Sequence, residues 1–520
     1  MASDKRLNED TSGDQGTERA IAPSLTEAEI RFERIRRTTG LFLGPILFLV
    51  IYLLPFEGLS KEAHSLAAIF CLVFSFWVTE AIPLPVTALL GPTLAVIFGV
   101  AGAGEAFQSF AAPLIFLFIG SFILANAIFL HDLDRRVAYT ILSIKWVASS
   151  PSRVLFAFGA ICYFGSMWLS STATTAMMFP IGLSVLSFMK RQQAFDPRYS
   201  TGLMLMTTYA ALMGGMATPV GTPPNLITIG MLREIKGYDI SFFQWMTFAL
   251  PISATLFLFL FFYLNKVCPS GVTDMTGSLS FLQQEKDKLG GLTRGQKNVI
   301  VAFSTTVLLW VSPGLIAVLF GSDNPLYQTL TRLFPEAVAA LVGVCLLFFL
   351  PINWKERKFT ITWEQAVQID WGTILLFGGG LSLGRLAFAT GLAESVGGTF
   401  LELVPTGQSQ FVKLIAVTLL ASLLMTVITE MVSNTASTNM GIPVVLALAT
   451  SLNVSYLPPV LGACLSASCA FTLPVSTPPN AIVFASGLIP ITKMIRYGIL
   501  LDIVGILAVN VGILVYFFLI

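Results

Sequence analysis

The sequence predicts an all-α integral membrane protein built as an inverted repeat, and three observations predict it. Only 11% of the 520 residues are charged and 55% are hydrophobic, with a mean hydropathy of +0.79, whereas a soluble domain carries about 25% charged residues. Apolar stretches recur along nearly the whole length, leaving room for about ten or eleven helices at roughly 20 apolar residues each. Two short polar patches within that apolar sequence each occur twice, in the same order. Ser170-Ser171-Thr172-Ala173-Thr174-Thr175 is matched 263 residues later by Ser433-Asn434-Thr435-Ala436-Ser437-Thr438. Gly221-Thr222-Pro223-Pro224-Asn225 is matched 255 residues later by Ser476-Thr477-Pro478-Pro479-Asn480. Seven of nine positions agree between Pro219–Ile227 and Pro474–Ile482.

Residues 1–39 read as a polar tail. They are too polar for a signal peptide, and Arg31, Arg34, Arg36 and Arg37 place them on the cytosolic side of the membrane. The first repeat half covers 40–267. It opens with the span Leu41–Leu54. Ser65–Val100 is broken at Glu80-Ala81-Ile82-Pro83 and makes two helices. Ala112–Leu130 is followed by the polar His131–Arg136. Thr201–Leu232 holds the first Thr-Pro-Pro-Asn break, and Phe242–Asn265 is uninterrupted. A cytoplasmic loop, 268–297, carries Lys286, Lys288, Arg294 and Lys297. The second half, 298–520, contains Val299–Phe320, Glu336–Leu350, Trp371–Thr390, the broken Leu457–Ile489 and Ile499–Ile520. Gly378-Gly379-Gly380 suits close helix packing or a kink. No Gly-Lys-Ser/Thr follows it, so it is no phosphate loop.

The stretch 154–189 is bounded by Arg153 and by Lys190-Arg191, and basic residues mark cytoplasmic flanks. Both ends therefore lie on one side. Each arm beside Ser170–Thr175 counts about 15 residues, short of a crossing. The expectation is a re-entrant hairpin with its polar tip near the midplane, where irregular backbone is tolerated only if it is buried or lines a cavity. Residues 411–451 repeat the pattern around Ser433–Thr438. Their flanks, Gly407–Gln410 and Ser451–Ser455, carry no basic residue, although Lys413 dissents, so this hairpin opens to the other side. Two such units in opposite orientation are the signature of secondary transporters.

The chemistry follows from helix ends. Ser and Thr cap helices, and each tip runs directly into apolar helix, presenting free N–H groups that favour an anion such as a carboxylate. Proline removes a backbone donor and frees a carbonyl a turn earlier. Freed carbonyls with Ser, Thr and Asn oxygens make a hard-oxygen cage suited to Na⁺. None of the four patches contains Lys, Arg, His, Asp or Glu. For proton coupling the nearest intramembrane candidates are Glu80, Glu430 and Arg385, and Glu430 reads as a structural carboxylate ahead of a proton relay. His64 and His131 read as interfacial residues at helix ends. One Ser/Thr patch alone would read as helix packing; ordered duplication favours a binding site.

Several classes are excluded or disfavoured. A net charge of +1 excludes nucleic acid as a natural partner. The six cysteines show no metal-ligand spacing and read as buried packing residues. An ion channel lacks its selectivity-filter repeat. A membrane enzyme lacks any His/Cys/Asp/Glu constellation at membrane depth.

At these motifs the chain resembles the divalent anion/sodium symporter family of sodium-dependent di- and tricarboxylate transporters. The family's paired Ser-Asn-Thr tips are matched by Ser433-Asn434-Thr435 and, less fully, by Ser170-Ser171-Thr172. Trp77–Pro83, Phe116–Gly120, Leu376–Gly380 and Thr477–Ile482 are similar as well, and the likeness covers roughly 40–520. The resemblance implies a homodimer of eleven transmembrane helices and two re-entrant hairpins, a scaffold with an elevator-type transport domain, in the cell membrane. It implies one Na⁺ site from Ser166, Ser170, Ser171 and Gly221, and a second from Thr429, Val432, Asn434 and Ser476. It implies substrate contacts from Ser171, Thr172, Thr222, Ser433, Asn434, Thr435, Thr477 and Pro478. The expected activity is Na⁺-coupled symport of C4-dicarboxylates such as succinate, malate or fumarate, with Na⁺-independent exchange of di- or tricarboxylates as the alternative. Ser171 stands where the family usually has Asn, which replaces two amide donors by one hydroxyl.

Overall fold

The computed structural model describes residues 27–56, 58–192, 195–272, 276–401 and 409–519. Residues 1–26 of the expected tail, and the flank residues Gly407 and Gln408, lie outside them. The first half is built from α1 (Glu27–Leu53), α2 (Lys61–Thr79), α3 (Leu84–Ile97), α4 (Pro113–Leu130), α5 (Pro151–Ser166), α6 (Ser171–Gln192), α7 (Pro197–Met216), α8 (Pro223–Lys236) and α9 (Phe242–Val267). The second half contributes α10 (Arg294–Phe320), α11 (Glu336–Phe349), α12 (Trp371–Ala389), α13 (Gln410–Met431), α14 (Asn434–Ser451), α15 (Leu457–Ser466), α16 (Pro478–Phe484) and α17 (Ile491–Leu519). Short helices connect them. A two-stranded antiparallel ribbon, Pro351–Asn353 with Lys358–Phe359, is a small exception to the all-helical expectation.

Among the described residues, nine helices are long and apolar enough to cross a membrane, or ten when the bent pair Pro325–Leu333 and Glu336–Phe349 is counted as one span. The chain is a multi-pass membrane protein. Its outer helices show Leu, Ile, Val and Phe outward, as lipid contact requires; Leu53, Leu308, Val318 and Leu507 are examples.

Several boundaries differ from expectation. α1 begins at Glu27, within the expected tail. Glu33 pairs with Arg36 at 2.9 Å, and Arg36 and Arg37 both reach Glu80. Glu80 has a positive φ of 49° at the α2–α3 turn, so these arginines hold the helix against that turn. Beside the first tip, α5 has 16 residues, close to the expected 15, but α6 has 22; the corresponding α13 and α14 have 22 and 18. α6 gains length mainly because the tip residues Ser171–Thr175 are themselves helical, and also because its last turn takes in Lys190 and Arg191.

Two helices sit at the centre. Every residue from Tyr199 to Met216 of α7 is buried, as is every residue from Pro458 to Ser466 of α15. A helix apolar all round must be enclosed by protein or lipid; here protein encloses both. Each leads directly into an unwound segment, 217–222 after α7 and 467–477 after α15. Gly378-Gly379-Gly380 serves packing, because a Cβ on Gly379 would collide with the Ala88 carbonyl and one on Gly380 with the Asn439 side chain.

Candidate functional site

Four helices begin at one place: α6 at Ser171, α8 at Pro223, α14 at Asn434 and α16 at Pro478. The local reasons are legible. Ser170 Oγ accepts from the Ala173 amide at 3.2 Å, and Ser433 Oγ accepts from the Ala436 amide at 3.3 Å. Thr222 and Thr477 are the extended N-caps of α8 and α16, each followed by two prolines at the helix start. A proline there loses no hydrogen bond, since first-turn amides have no helical acceptor. The prolines therefore start helices here and do not interrupt them. The free carbonyls lie in the unwound residues upstream.

Those carbonyls are largely claimed by the asparagines of the motif. Asn225 Nδ2 donates to Gly215 O at 3.0 Å and Thr218 O at 2.7 Å. Asn480 Nδ2 donates to Ala470 O at 2.9 Å and Leu473 O at 3.1 Å. The spacings, ten and seven residues back, are the same in both halves. Each asparagine oxygen is then reached from the other half, Asn480 Oδ1 by Thr208 Oγ1 at 2.7 Å and Asn225 Oδ1 by Cys464 Sγ at 3.8 Å. The two breaks thus brace one another. Cys464 is buried, as are Cys162, Cys268 and Cys469; Cys71 is half-buried and Cys345 exposed.

The four helix starts open on a cavity of about 650 Å³. Ser170, Ser171, Thr172, Gly221, Thr222, Ser433, Asn434, Thr435, Ser476, Thr477 and Pro478 all line it. Ser166, Thr429 and Val432 lie behind that wall. Ser166 Oγ is 2.9 Å from Ser171 Oγ, and Thr429 Oγ1 is 2.7 Å from Asn434 Oδ1. A Cβ added to Gly221 would sit 2.6 Å from Gly215 O and 2.9 Å from Ser166 O. Only glycine leaves that oxygen-lined space open, and hard oxygens at such spacing suit a small cation.

The tips differ in what they can donate. Ser171 is buried and its hydroxyl donates to Ala211 O at 3.0 Å. A hydroxyl has one proton, so Ser171 keeps only lone pairs for a ligand. Asn434 Nδ2 makes no hydrogen bond among the described residues and stands at the cavity wall, so its two donors remain open.

The second break carries an acidic pair. Glu430 accepts from the Thr472 amide at 2.8 Å, the Leu473 amide at 3.0 Å and Ser476 Oγ at 2.5 Å. Asp502 on α17 accepts from the Phe471 amide at 3.3 Å and Thr472 Oγ1 at 2.5 Å. Neither makes an ion pair among the described residues. The geometry of Glu430 is that of a structural carboxylate. Asp502 was missed in the sequence, though a lone Asp within a long apolar helix was a usable signal. On the far wall Asn126, Gln368, Asp370 and Thr373 also line the cavity, and no motif announced them. Of the remaining ionisable residues, Arg385 bonds the Glu105 carbonyl, His64 lies 2.6 Å from Ile51 O, and His131 lies 2.8 Å from Thr360 O.

A multi-pass helical protein with paired helix breaks around a cavity defines the class of membrane transporters. Among the described residues, no group of three or more His, Cys, Asp or Glu is placed to hold a metal. More particularly, the chain belongs to the family described as the sodium:sulfate symporter transmembrane region, whose model matches residues 36–520. Its relatives are transporters and not enzymes. It is 31% identical over 523 residues to the sodium-dependent dicarboxylate transporter SdcS of Staphylococcus saprophyticus, covering 99% of this chain and 97% of that one. It is 32% identical over 492 residues to SdcS of Staphylococcus aureus strain USA300, covering 92% and 90%. Among solved structures, the YdaH transporter of Alcanivorax borkumensis superposes with a TM-score of 0.53 at 14% identity, covering 94% of this chain and 98% of that one. MtrF of Neisseria gonorrhoeae, an antimetabolite efflux pump, gives 0.51 at 13%, covering 92% and 96%. These two likenesses concern the fold alone.

Proposed function

We propose that this protein carries C4-dicarboxylates such as succinate, malate or fumarate across the cell membrane by Na⁺-coupled symport. The observation that carries this reading is the convergence of four helix N-termini, with hydroxyl and amide donors, on one cavity wall that bears no basic side chain. N–H dipole ends favour carboxylates. The name of the full-length relatives, sodium-dependent dicarboxylate transporters, supports the same cargo and ion.

In this reading Asn434, Ser433 and Thr435 hold one carboxylate, and Thr172, Thr222, Thr477 and Pro478 complete the contact with the other. One Na⁺ lies among Ser166, Ser170, Ser171 and Gly221, the second among Thr429, Val432, Asn434 and Ser476. Ser171 belongs with the ion because its proton is committed to Ala211. Glu430 accepts the Ser476 proton and turns that hydroxyl's lone pairs toward the second ion. Bound Na⁺ offsets the charge of a dianion that apolar surroundings would exclude, and it orders both tips for the cargo.

We further assign the helix-break-helix units 154–189 and 411–451 as re-entrant hairpins of a transport domain that moves, elevator fashion, against the scaffold of a homodimer, with the repeat halves 40–267 and 298–520 and the N-terminus in the cytoplasm. The basic flanks of 154–189 and of the 268–297 loop support that orientation.

The test is uptake of radiolabelled succinate by proteoliposomes holding the purified chain, with and without an inward Na⁺ gradient. Gradient-driven accumulation is expected. Uptake only when succinate is loaded inside would mean exchange. Sulfate uptake without succinate uptake would overturn the cargo.

A further inference from the structure

One charged side chain stands on the cavity wall. Asp370 lines the cavity, and no Lys, Arg, His or Glu does so among the described residues. Asp370 is exposed and has no ion-pair partner among those residues. Its carboxylate is nonetheless fixed, accepting the Thr373 amide at 3.0 Å and the Thr373 hydroxyl at 2.5 Å as the N-cap of α12. Next along the rim is Pro85, which touches the Gly372 position beside it. Glu80, which does not line the cavity, is paired with Arg36 and Arg37.

We propose that Asp370 is the charge filter of this cavity: it draws monovalent cations in ahead of the cargo and penalises a divalent anion that enters without them. The inference rests on the dicarboxylate reading of the same site. Two unit charges attract or repel over several ångströms of water, and a dianion feels twice the force of a monoanion. A wall with no compensating cation leaves that force unopposed. Cation occupancy of the ion sites cancels it, so dianion affinity becomes conditional on bound Na⁺. Asp370 touches no cargo in this scheme. It sets which ionic form the cavity admits, and it lowers the rebinding of dianion once the cations have left.

The cap and the charge are separable. Asn and Ser also accept a first-turn amide as N-caps, so Asp370→Asn and Asp370→Ser keep the helix start and lose the charge. Asp370→Glu keeps the charge. Equilibrium binding of radiolabelled succinate to the purified full-length protein in Na⁺-free buffer is the first readout. Both neutral variants should bind about three- to tenfold more tightly than wild type at low ionic strength. The gain should shrink in about 0.5 M choline chloride, where the screening length falls below about 5 Å. Monomethyl succinate, a monoanion, should show roughly the square root of the effect, and Asp370→Glu should match wild type. The second readout needs no cargo: the Na⁺ concentration for half-maximal thermal stabilisation should rise several-fold in both neutral variants. Unchanged Na⁺ midpoints, a salt-independent gain, or a Glu variant behaving like Asn would each overturn the filter. Failure of wild type to bind succinate, with the Na⁺ midpoints shifted as expected, would instead overturn the cargo.

Discussion

Ser166 Oγ lies 2.9 Å from Ser171 Oγ at the first tip, across the helix break that separates α5 from α6. Its counterpart at the second tip is Thr429 with Asn434, at 2.7 Å. Both pairs span five residues and join the end of one helix to the start of the next. The first pair ends in a hydroxyl whose proton goes to Ala211. The second ends in an amide with donors to spare. The repeat therefore builds the same brace twice and gives only one copy a free grip for an anion.

That difference separates the two tips in a transport assay. Asn434→Ala should reduce succinate uptake at least tenfold, the equivalent of about 1.4 kcal/mol or more. Ser171→Ala should instead raise the Na⁺ concentration for half-maximal uptake, with the succinate KM at saturating Na⁺ changed less than about twofold. Uptake kinetics at varied Na⁺ and succinate decide it; matching kinetic changes in the two variants would refute the division.

Gly221→Ala places a methyl against two backbone carbonyls, at 2.6 and 2.9 Å, which cannot swing away. It should reduce Na⁺-dependent thermal stabilisation to what the second ion site contributes, while the protein still elutes as a single species. Stabilisation by Na⁺ equal to wild type would remove Gly221 from the first ion site.

Asn225→Ala and Asn480→Ala each strand one carbonyl, Gly215 O or Ala470 O, while Thr218 O keeps the Gly221 amide and Leu473 O keeps Ser476. Leaving such groups unpaired costs about 1–3 kcal/mol, so both variants should melt several degrees lower, and by similar amounts given their matched bonding. Thermal unfolding in detergent measures this. A loss at one position alone would show that the halves are not equivalent braces.

Asp134 lies outside the membrane-spanning segments, on the short helix Leu133–Leu142. Burial pushes its carboxyl up to about 6, with neighbouring Asp132 adding to the effect and hydrogen bonds to backbone and Arg135 opposing it. One of its oxygens is buried without a partner. A carboxyl raised on folding stabilises the native state fully below about pH 4 and loses that contribution as pH rises through 6. At pH 7.5 its ionisation costs on the order of 3 kcal/mol. Asp134→Asn should raise the melting temperature at pH 7.5 and give a clearly smaller gain at pH 4.5. Equal gains at both values would refute the burial cost.

Much of the site was legible because it is local and repeated. Ser170, Ser433 and Thr477 cap their helices through amides three positions away, and such contacts are written in short motifs. The role of the prolines was half legible. Their presence marked the breaks, but whether they interrupt a helix or start one depends on where the unwound residues fall. The length of α6 was not legible because Ser170–Thr175 reads as a break and Lys190-Arg191 as a boundary, whereas the helix starts at Ser171 and runs on through both basic residues.

By itself the sequence determined that this chain spans a membrane and that it carries, twice and in the same order, a hydroxyl-rich patch and a Thr-Pro-Pro-Asn break. Those are matters of composition, hydropathy and short-range capping, which act within a turn or two of helix. Only the tertiary structure decided that Asn225 and Asn480 are braced from the opposite half, that Asp502 on the last helix meets Thr472, that Ser171 is turned inward while Asn434 is open, and that Asp370 faces the cavity. Thr208 and Asn480 are 272 residues apart. Periodicity reports which face of a helix is apolar, but it cannot report which other helix that face will meet. Packing of α7 and α15 at the centre made those choices, because burying two helices on all sides leaves few ways to arrange everything that surrounds them.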